Sequence, residues 1–233
     1  MSWLSIFFAL ASGILPALLW LWFWLREDRL HPEPRRLLIL TFLGGMAVVA
    51  LTLPLEQATY YILDKVGWTA VWGGFMILFL WALAEEFSKY IAAKKIALNK
   101  KTFDEPVDAL IYMITAALGF AAMENVIFLL EIITSSGFMA CLVVSNLRFA
   151  GATLVHLLSS ATVGSAIAFC FFHKEKYRRN VFWGLFFATS LHALFNYFII
   201  KSVGENIFEV FLPFWILVIV LLLVFKQVKK IKN

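Results

Sequence analysis

Acidic and imidazole side chains occur inside four strongly apolar stretches of this sequence. Glu85 and Glu86 lie in one stretch, Glu124 lies in the next, and His156 and His192 lie in the following two. Ionisable groups are costly to place in hydrocarbon, and those that occur there usually serve a function. Carboxylates and imidazoles together form a general acid/base set, which can activate water and protonate a leaving amine. The residue types therefore predict a hydrolase that acts within the membrane, with a peptide bond as the favoured target.

Residues about one helical turn from these glutamates and histidines extend the predicted acid/base site. Glu85 and Lys89 are four residues apart, so they share a helix face and can form an ion pair, whereas Glu86 points about 100° away. Because Lys89 can hold Glu85 ionised, Glu85 is the better candidate for the base. Histidine and asparagine donors suit an oxyanion. Asn196, four residues after His192, joins the catalytic candidates. Supporting candidates in the same stretches are Lys89, Phe120, Asn125, Ser160 and Gly164.

The same side chains could also bind a metal ion. Zn²⁺ accepts histidine nitrogen and carboxylate oxygen and keeps one open position in catalytic sites. His156, His192 and either Glu85 or Glu124 would suffice as ligands. The zinc-protease helix motif H-E-x-x-H is absent, however. Spacing alone does not choose between a metal-free and a metal-bound site. No cofactor is favoured, and zinc is the alternative.

The elements that position these residues must be membrane-spanning helices. The chain is 62% hydrophobic and 15% charged, against about 45–50% and about 25% in soluble proteins, which excludes a secreted enzyme or a cytosolic domain. A span takes about 20 apolar residues. We predict an all-α polytopic membrane bundle of about seven transmembrane helices, forming a single integral-membrane protease domain over residues 1–233. The predicted spans are Trp3–Leu25, Leu37–Leu63, Ala70–Ala93, Val107–Ile133, Phe149–Phe172, Val181–Ile200 and Val210–Phe225.

The basic residues predict how the bundle is oriented. Sixteen of the 20 Lys and Arg residues fall into four clusters in alternate connections. Only Lys65, Arg148 and Lys201 sit in the opposite connections, and Lys89 lies inside a span. By the positive-inside rule the N-terminus is outside and the C-terminus is cytoplasmic. The net charge of +5 is thus explained by basic residues that lie beside a lipid bilayer, and no nucleic acid partner is expected.

Two other classes of protein could use the same polar residues. A transporter or channel would predict an internal repeat, or helices broken by Gly and Pro at matching positions, and the sequence shows neither pattern. A non-catalytic membrane scaffold would not need to keep several glutamates and two histidines in lipid. Both classes stay as alternatives to the protease.

Taken in order, the motifs resemble those of the PrsW family of intramembrane proteases, which is distantly similar to the CAAX-protease and bacteriocin-processing superfamily. The resemblance runs from about residue 26 to residue 200, and residues 27–34 and 104–108 share the family's character. The matching motifs are Glu85-Glu86-Phe-Ser-Lys89 for E-E-x-x-K, Phe120 through Glu124-Asn125 for F-x-x-x-E-N, His156 with Gly164 for H-x(7)-G, and His192 followed four residues later by Asn196, where some members have Asp.

The resemblance implies an activity and a set of roles. It implies cleavage of the extracytoplasmic part of a single-pass anti-sigma factor in the bacterial cytoplasmic membrane. Glu85 would activate the water and Glu86 would assist or orient it. Glu124 and His156 would complete the water and oxyanion site, and His192 and Asn196 would stabilise the oxyanion. Related enzymes are viewed as glutamate-dependent, although the family name has often carried the word metalloprotease.

Overall fold

The computed structural model describes residues 3–28, 31–68, 73–202 and 207–231. In this part of the chain there are seven long helices and no strand, so the predicted all-α architecture is confirmed. The helices are α1 Trp3–Leu25, α2 Arg35–Lys65, α3 Gly73–Ala93, α4 Pro106–Ser135, α5 Gly137–Ala168, α6 Tyr177–Lys201 and α7 Ile207–Val228.

Six of these helices are long and apolar enough to cross a membrane, and their outer faces carry exposed Leu, Ile, Phe and Trp side chains. The seventh helix, α3, has 21 residues and carries Glu85, Glu86 and Lys89 in its second half. The predicted start of this span, Ala70, lies outside the described residues. Because every long helix presents apolar side chains outward, the chain is a multi-pass membrane protein.

Helix α4 forms the centre of the bundle. In its most apolar stretch 72% of the residues are buried, against 17–33% in the other five candidate spans. It packs against α1, α2, α3 and α5. The glycines in this packing allow the backbones to meet: a Cβ on Gly45 of α2 would overlap the carbonyl oxygen of Ala116 in α4. Gly45 therefore allows close packing of α2 against α4.

Helix α5 differs from its prediction at the N-terminal end. The predicted span began at Phe149, but the helix begins at Gly137, directly after the end of α4. Gly137 has a φ of +84°, a conformation that suits glycine and allows the sharp turn. Residues Arg148–Ala152 form a π-helical segment inside α5. The prediction that placed Arg148 in a connection is wrong, because the charge of this arginine is paired inside the bundle.

The basic connections meet at one end of the bundle. His31 Nδ1, before α2, lies 2.8 Å from Glu105 Oε1, before α4. Lys94 Nζ, after α3, lies 5.6 Å from the centre of the Tyr177 ring at the start of α6. The placement of the basic clusters in alternate connections is thus consistent with the fold, because these connections meet at the same end of the bundle. Which side of the membrane this end faces stays a prediction.

Candidate active site

Helix α3 supplies two carboxylates and one ammonium to a buried cluster. Lys89 Nζ lies 3.2 Å from Glu85 Oε2 and 2.8 Å from Glu86 Oε1. The predicted pair between Glu85 and Lys89 is therefore present. Glu86 lies about 100° around the helix from Glu85, and the long lysine side chain nevertheless reaches both the preceding i−3 and i−4 positions. One cation thus bridges two adjacent glutamates.

His156 of α5 completes the contacts of Lys89. Its Nδ1 lies 2.8 Å from Lys89 Nζ, and its Nε2 lies 3.0 Å from Glu124 Oε2. An ammonium group can only donate, so Nδ1 of His156 accepts and Nε2–H donates to Glu124. This assigns His156 as the neutral Nε2–H tautomer, with both ring nitrogens engaged.

His192 of α6 has a different arrangement. Its Nδ1 lies 2.9 Å from Glu86 Oε1, so Nδ1–H donates to this carboxylate. Its Nε2 lies 3.9 Å from Glu85 Oε2, too far for a hydrogen bond. Glu86 also accepts a hydrogen bond of 2.7 Å from Ser160 Oγ. Glu86 therefore holds its neighbours in place, while Glu85 and His192 Nε2 face each other with unused hydrogen-bonding capacity.

The cluster opens towards Glu124 and Arg148. The side chains of these two residues are 29% and 16% exposed, whereas those of Glu85, Glu86, Lys89, His156 and His192 are at most 6% exposed. Arg148 Nη2 lies 2.5 Å from Glu124 Oε2, and Nε donates to Asn125 Oδ1 at 2.5 Å. Asn125 Nδ2 in turn donates to Thr153 Oγ1 at 3.0 Å. Glu124 and Arg148 are therefore the part of the cluster that reaches the surface of the bundle.

Two residues of this region could not be recognised from the sequence alone. Arg148 lies eight residues before His156, close to two helical turns, a spacing that would have placed both on one face. The signal was lost because a loop was predicted there. Glu56 of α2 is the second, and it lies close enough to Glu85 and Glu124 for their charges to act on it. Neither residue was recognised, since hydropathy alone does not reveal which helices are neighbours.

The supporting residues have distinct surroundings. The ring of buried Phe120 has Lys89 Nζ 4.2 Å from its centre and the His156 ring 5.4 Å away. A Cβ on Gly164 would lie 2.8 Å from the Ala109 carbonyl oxygen, so this glycine allows α5 to approach α4. Asn196 is half-buried one turn beyond His192, and the structure gives its side chain no hydrogen bond to a described residue. The structure therefore does not bring Asn196 into the hydrogen-bonded cluster.

The donor types of the cluster suit zinc, and a buried ammonium lies among them. One ligand atom from each of Glu85, Glu86, His156 and His192 lies within 4.8 Å of the others. The Lys89 ammonium, however, already lies 2.8–3.2 Å from the first three of these residues. Of the two imidazoles, only His192 keeps a free lone pair. A catalytic zinc needs three protein ligands, and an ion bound to Glu85, Glu86 or His156 would compete with the Lys89 ammonium for the same ligand atoms.

Comparisons with known proteins agree with the motifs. A family model described as "PrsW family intramembrane metalloprotease" matches residues 33–224. Protease PrsW of Oceanobacillus iheyensis is 28% identical over 210 residues, which cover 89% of each chain. Protease PrsW of Geobacillus kaustophilus is 26% identical over 201 residues, 84% of this chain and 81% of the relative. Protease PrsW of Clostridioides difficile is 29% identical over 189 residues, 79% and 76% of the two chains. No solved structure matches the chain.

Proposed function

Because the chain belongs to the PrsW family of intramembrane proteases, we propose that it hydrolyses a peptide bond of a membrane-protein substrate with Glu85 as the base. One observation carries this proposal. Glu85 Oε2 and His192 Nε2 lie 3.9 Å apart, and both retain hydrogen-bonding capacity. A single water can bridge two such groups, which is the geometry that general base catalysis requires.

The reaction follows from these positions. Glu85 takes a proton from the water while the water oxygen attacks the carbonyl carbon of the scissile bond, and the carbonyl oxygen becomes an oxyanion. The protonated Glu85 then gives its proton to the amide nitrogen as the C–N bond breaks. The products are a carboxylic acid, which ionises, and an amine.

The neighbouring residues position the base and stabilise charge. The Lys89 ammonium holds Glu85 ionised, and Glu86 fixes the tautomer of His192 through Nδ1–H. His192, when protonated, donates from Nε2 to the oxyanion. Asn196 has amide N–H groups that can serve the same oxyanion or the substrate backbone. Glu124 and His156 line the open side, where Arg148 adds positive charge.

We assign the substrate to a class by the location of the opening. Residues Glu124 and Arg148 lie far along α4 and α5 from the basic end of the bundle. With that end in the cytoplasm of a bacterial inner membrane, the cluster opens towards the outer leaflet. A single-pass protein whose extracytoplasmic flank reaches this depth, such as an anti-sigma factor, fits the opening.

Proteolysis by the purified, reconstituted protein tests the proposal. The substrates are a panel of single-pass membrane proteins that includes anti-sigma factors. We expect Glu85→Gln to lower cleavage by at least about 100-fold. Glu131→Gln, an exposed position on α4, is the matched control and keeps the wild-type rate. Wild-type cleavage by Glu85→Gln would refute the assignment of the base.

A second arm addresses the catalytic type. Cleavage is measured with and without a strong zinc chelator, together with elemental analysis of the same sample. We expect cleavage to survive chelation, because Lys89 neutralises the carboxylates. Loss of cleavage on chelation and recovery on adding zinc would instead make His156, His192 and a glutamate metal ligands. Failure to cleave any member of the panel would favour a transporter or a scaffold.

A further inference from the structure

A second group of acidic residues lies at the basic end of the bundle, away from the protease site. Asp28 ends the turn after α1, Glu33 precedes α2, and Asp108 lies in the first turn of α4. Asp108 is 16 residues before Glu124 on the same helix, about 24 Å along its axis. The proposed catalysis uses none of these three residues, although their segments, 27–34 and 104–108, were singled out in the sequence.

The three carboxyl groups are buried and close together. Asp28, Glu33 and Asp108 are 6%, 7% and 1% exposed. One carboxylate oxygen from each lies within 4.8 Å of the other two. Three negative charges at this separation repel one another strongly in a site with little water. The group therefore needs a positive partner or shared protons.

Hydrogen bonds within the fold satisfy only part of this group. Asp108 Oδ2 accepts the backbone N–H groups of Asp104 at 3.0 Å and Glu105 at 2.8 Å. The Tyr112 hydroxyl donates to Glu33 Oε2. Asp28 Oδ2, in contrast, is buried and has no hydrogen-bond partner among the described residues. Such an unpaired buried oxygen is rare in native proteins and calls for an explanation.

The charged side chains near Asp28 do not supply the positive partner that the three carboxyl groups need. Lys229, after α7, and His31 exert a favourable charge on Asp28, while Asp108 and Glu105 oppose them. His31 Nδ1 is itself paired with Glu105 at 2.8 Å. The burial of Asp28, followed by the charges of Asp108 and Glu105, raises the pKa of this carboxyl to about 6.

We propose that Asp28, Glu33 and Asp108 form a binding site for a hard divalent cation of the Ca²⁺ or Mg²⁺ class. All donors in the group are oxygens, the ligand type that such ions take and that zinc and copper sites seldom use alone. Ca²⁺–oxygen bonds of about 2.3–2.6 Å give a coordination shell about 4.6–5.2 Å across. The mutual limit of 4.8 Å between the carboxylate oxygens fits within this shell. Mg²⁺ has a shell of about 4.2 Å and would draw the oxygens closer.

A cation at this site would join two parts of the fold that the sequence separates. Asp28 and Glu33 flank the connection between α1 and α2, whereas Asp108 begins the central helix α4. The ion would fix this connection against the helix that carries Glu124 at the other end of the bundle. The site thus serves the stability of the bundle and acts independently of peptide hydrolysis.

Thermal unfolding and direct binding of the full chain in detergent micelles test this inference. The protein is first treated with a chelator and then titrated with Ca²⁺ or with Mg²⁺ alone. For wild type we expect one equivalent to bind and the Tm to rise on the order of 5 °C at about 100 times Kd. We expect Asp28→Asn to lose both the binding and the rise. Two controls, Glu175→Gln at an exposed position and Glu85→Gln in the protease site, should retain them.

Terbium luminescence covers the case in which the Asp28 variant does not fold. Tb³⁺ bound to wild type beside Glu33 is sensitised by Tyr112, and Ca²⁺ should quench this emission by competition. Absence of Ca²⁺ and Mg²⁺ binding to wild type would overturn the proposal and leave a group of carboxyls that share protons. Wild-type binding by both Asp28→Asn and Glu33→Gln would also overturn it, and loss of binding in Glu85→Gln alone would place the ion in the protease site instead.

Discussion

At the scale of single residues, the two adjacent glutamates have different surroundings and therefore different roles. Glu86 accepts hydrogen bonds from Lys89, Ser160 and His192. Among the described residues, Glu85 has one hydrogen bond, from Lys89 at 3.2 Å, and it lies 3.9 Å from His192 Nε2. Glu86 acts as a structural anchor of the cluster, whereas Glu85 keeps the capacity to bind water.

Substitution of each glutamate should separate these roles. We expect Glu86→Gln to lower both the cleavage rate and the stability, because weakening a buried charge network costs up to about 3–5 kcal/mol. We expect Glu85→Gln to abolish cleavage with a smaller loss of Tm. Thermal unfolding of both variants in the same detergent is the measurement. Equal Tm values for the two variants would contradict the assignment of Glu86 as the anchor.

At the scale of helices, close approach of α4 and α5 sets the position of His156. Gly164 lies two turns beyond this histidine, and the backbone of Ala109 and Leu110 lies against it. A side chain at this position would push the helices apart, which would lengthen the 3.0 Å contact between His156 and Glu124. The glycine thus acts on the site through packing and has no chemical role.

Replacement of this glycine should affect the fold before the chemistry. We expect Gly164→Ala to destabilise the bundle by about 1–3 kcal/mol, as overpacking in a tight core does. Gly74→Ala is the matched control, since a Cβ there meets no atom within 4 Å. The readout is the Tm of each variant by thermal unfolding in detergent. A Gly164→Ala protein as stable as the Gly74→Ala protein would show that the helices adjust freely.

At the scale of the whole molecule, the bundle has two separate polar regions joined by one buried helix. The protease cluster lies well along α4, and the acidic group lies at its first turn beside the basic connections. Both regions lie against a helix whose apolar stretch is 72% buried. A central helix that is buried in this way holds the protease cluster in position, while the outer helices face lipid.

The orientation of the molecule can be tested with reporter fusions. We expect a fluorescent protein fused after Asn233 to fluoresce, and alkaline phosphatase at the same position to be inactive, because the basic clusters face the cytoplasm. Insertion of the two reporters in the 136–137 connection between α4 and α5 should give the reverse pattern. An active phosphatase at the C-terminus would invert the predicted topology and the side from which the substrate approaches.

The sequence by itself determined the properties that depend on nearest neighbours along the chain. Apolar stretches of about 20 residues form helices in lipid, whichever other helices they pack against. The misplaced charges at Glu85, Glu124, His156 and His192 could be found because ionisable side chains are rare in such runs. The pair of Glu85 with Lys89 also followed, since its spacing is fixed within one helix.

Only the tertiary structure decided what depends on which helices are neighbours and how each is rotated. Lys89 bridges two glutamates and reaches His156, 67 positions away. Arg148 lies in a π-helical segment inside α5 and pairs with Glu124. The hydropathy pattern had placed this arginine in a loop. Asp28, Glu33 and Asp108 come together although up to 80 residues separate them. Such contacts are set by helix packing, a long-range property, and no local pattern of residues encodes them.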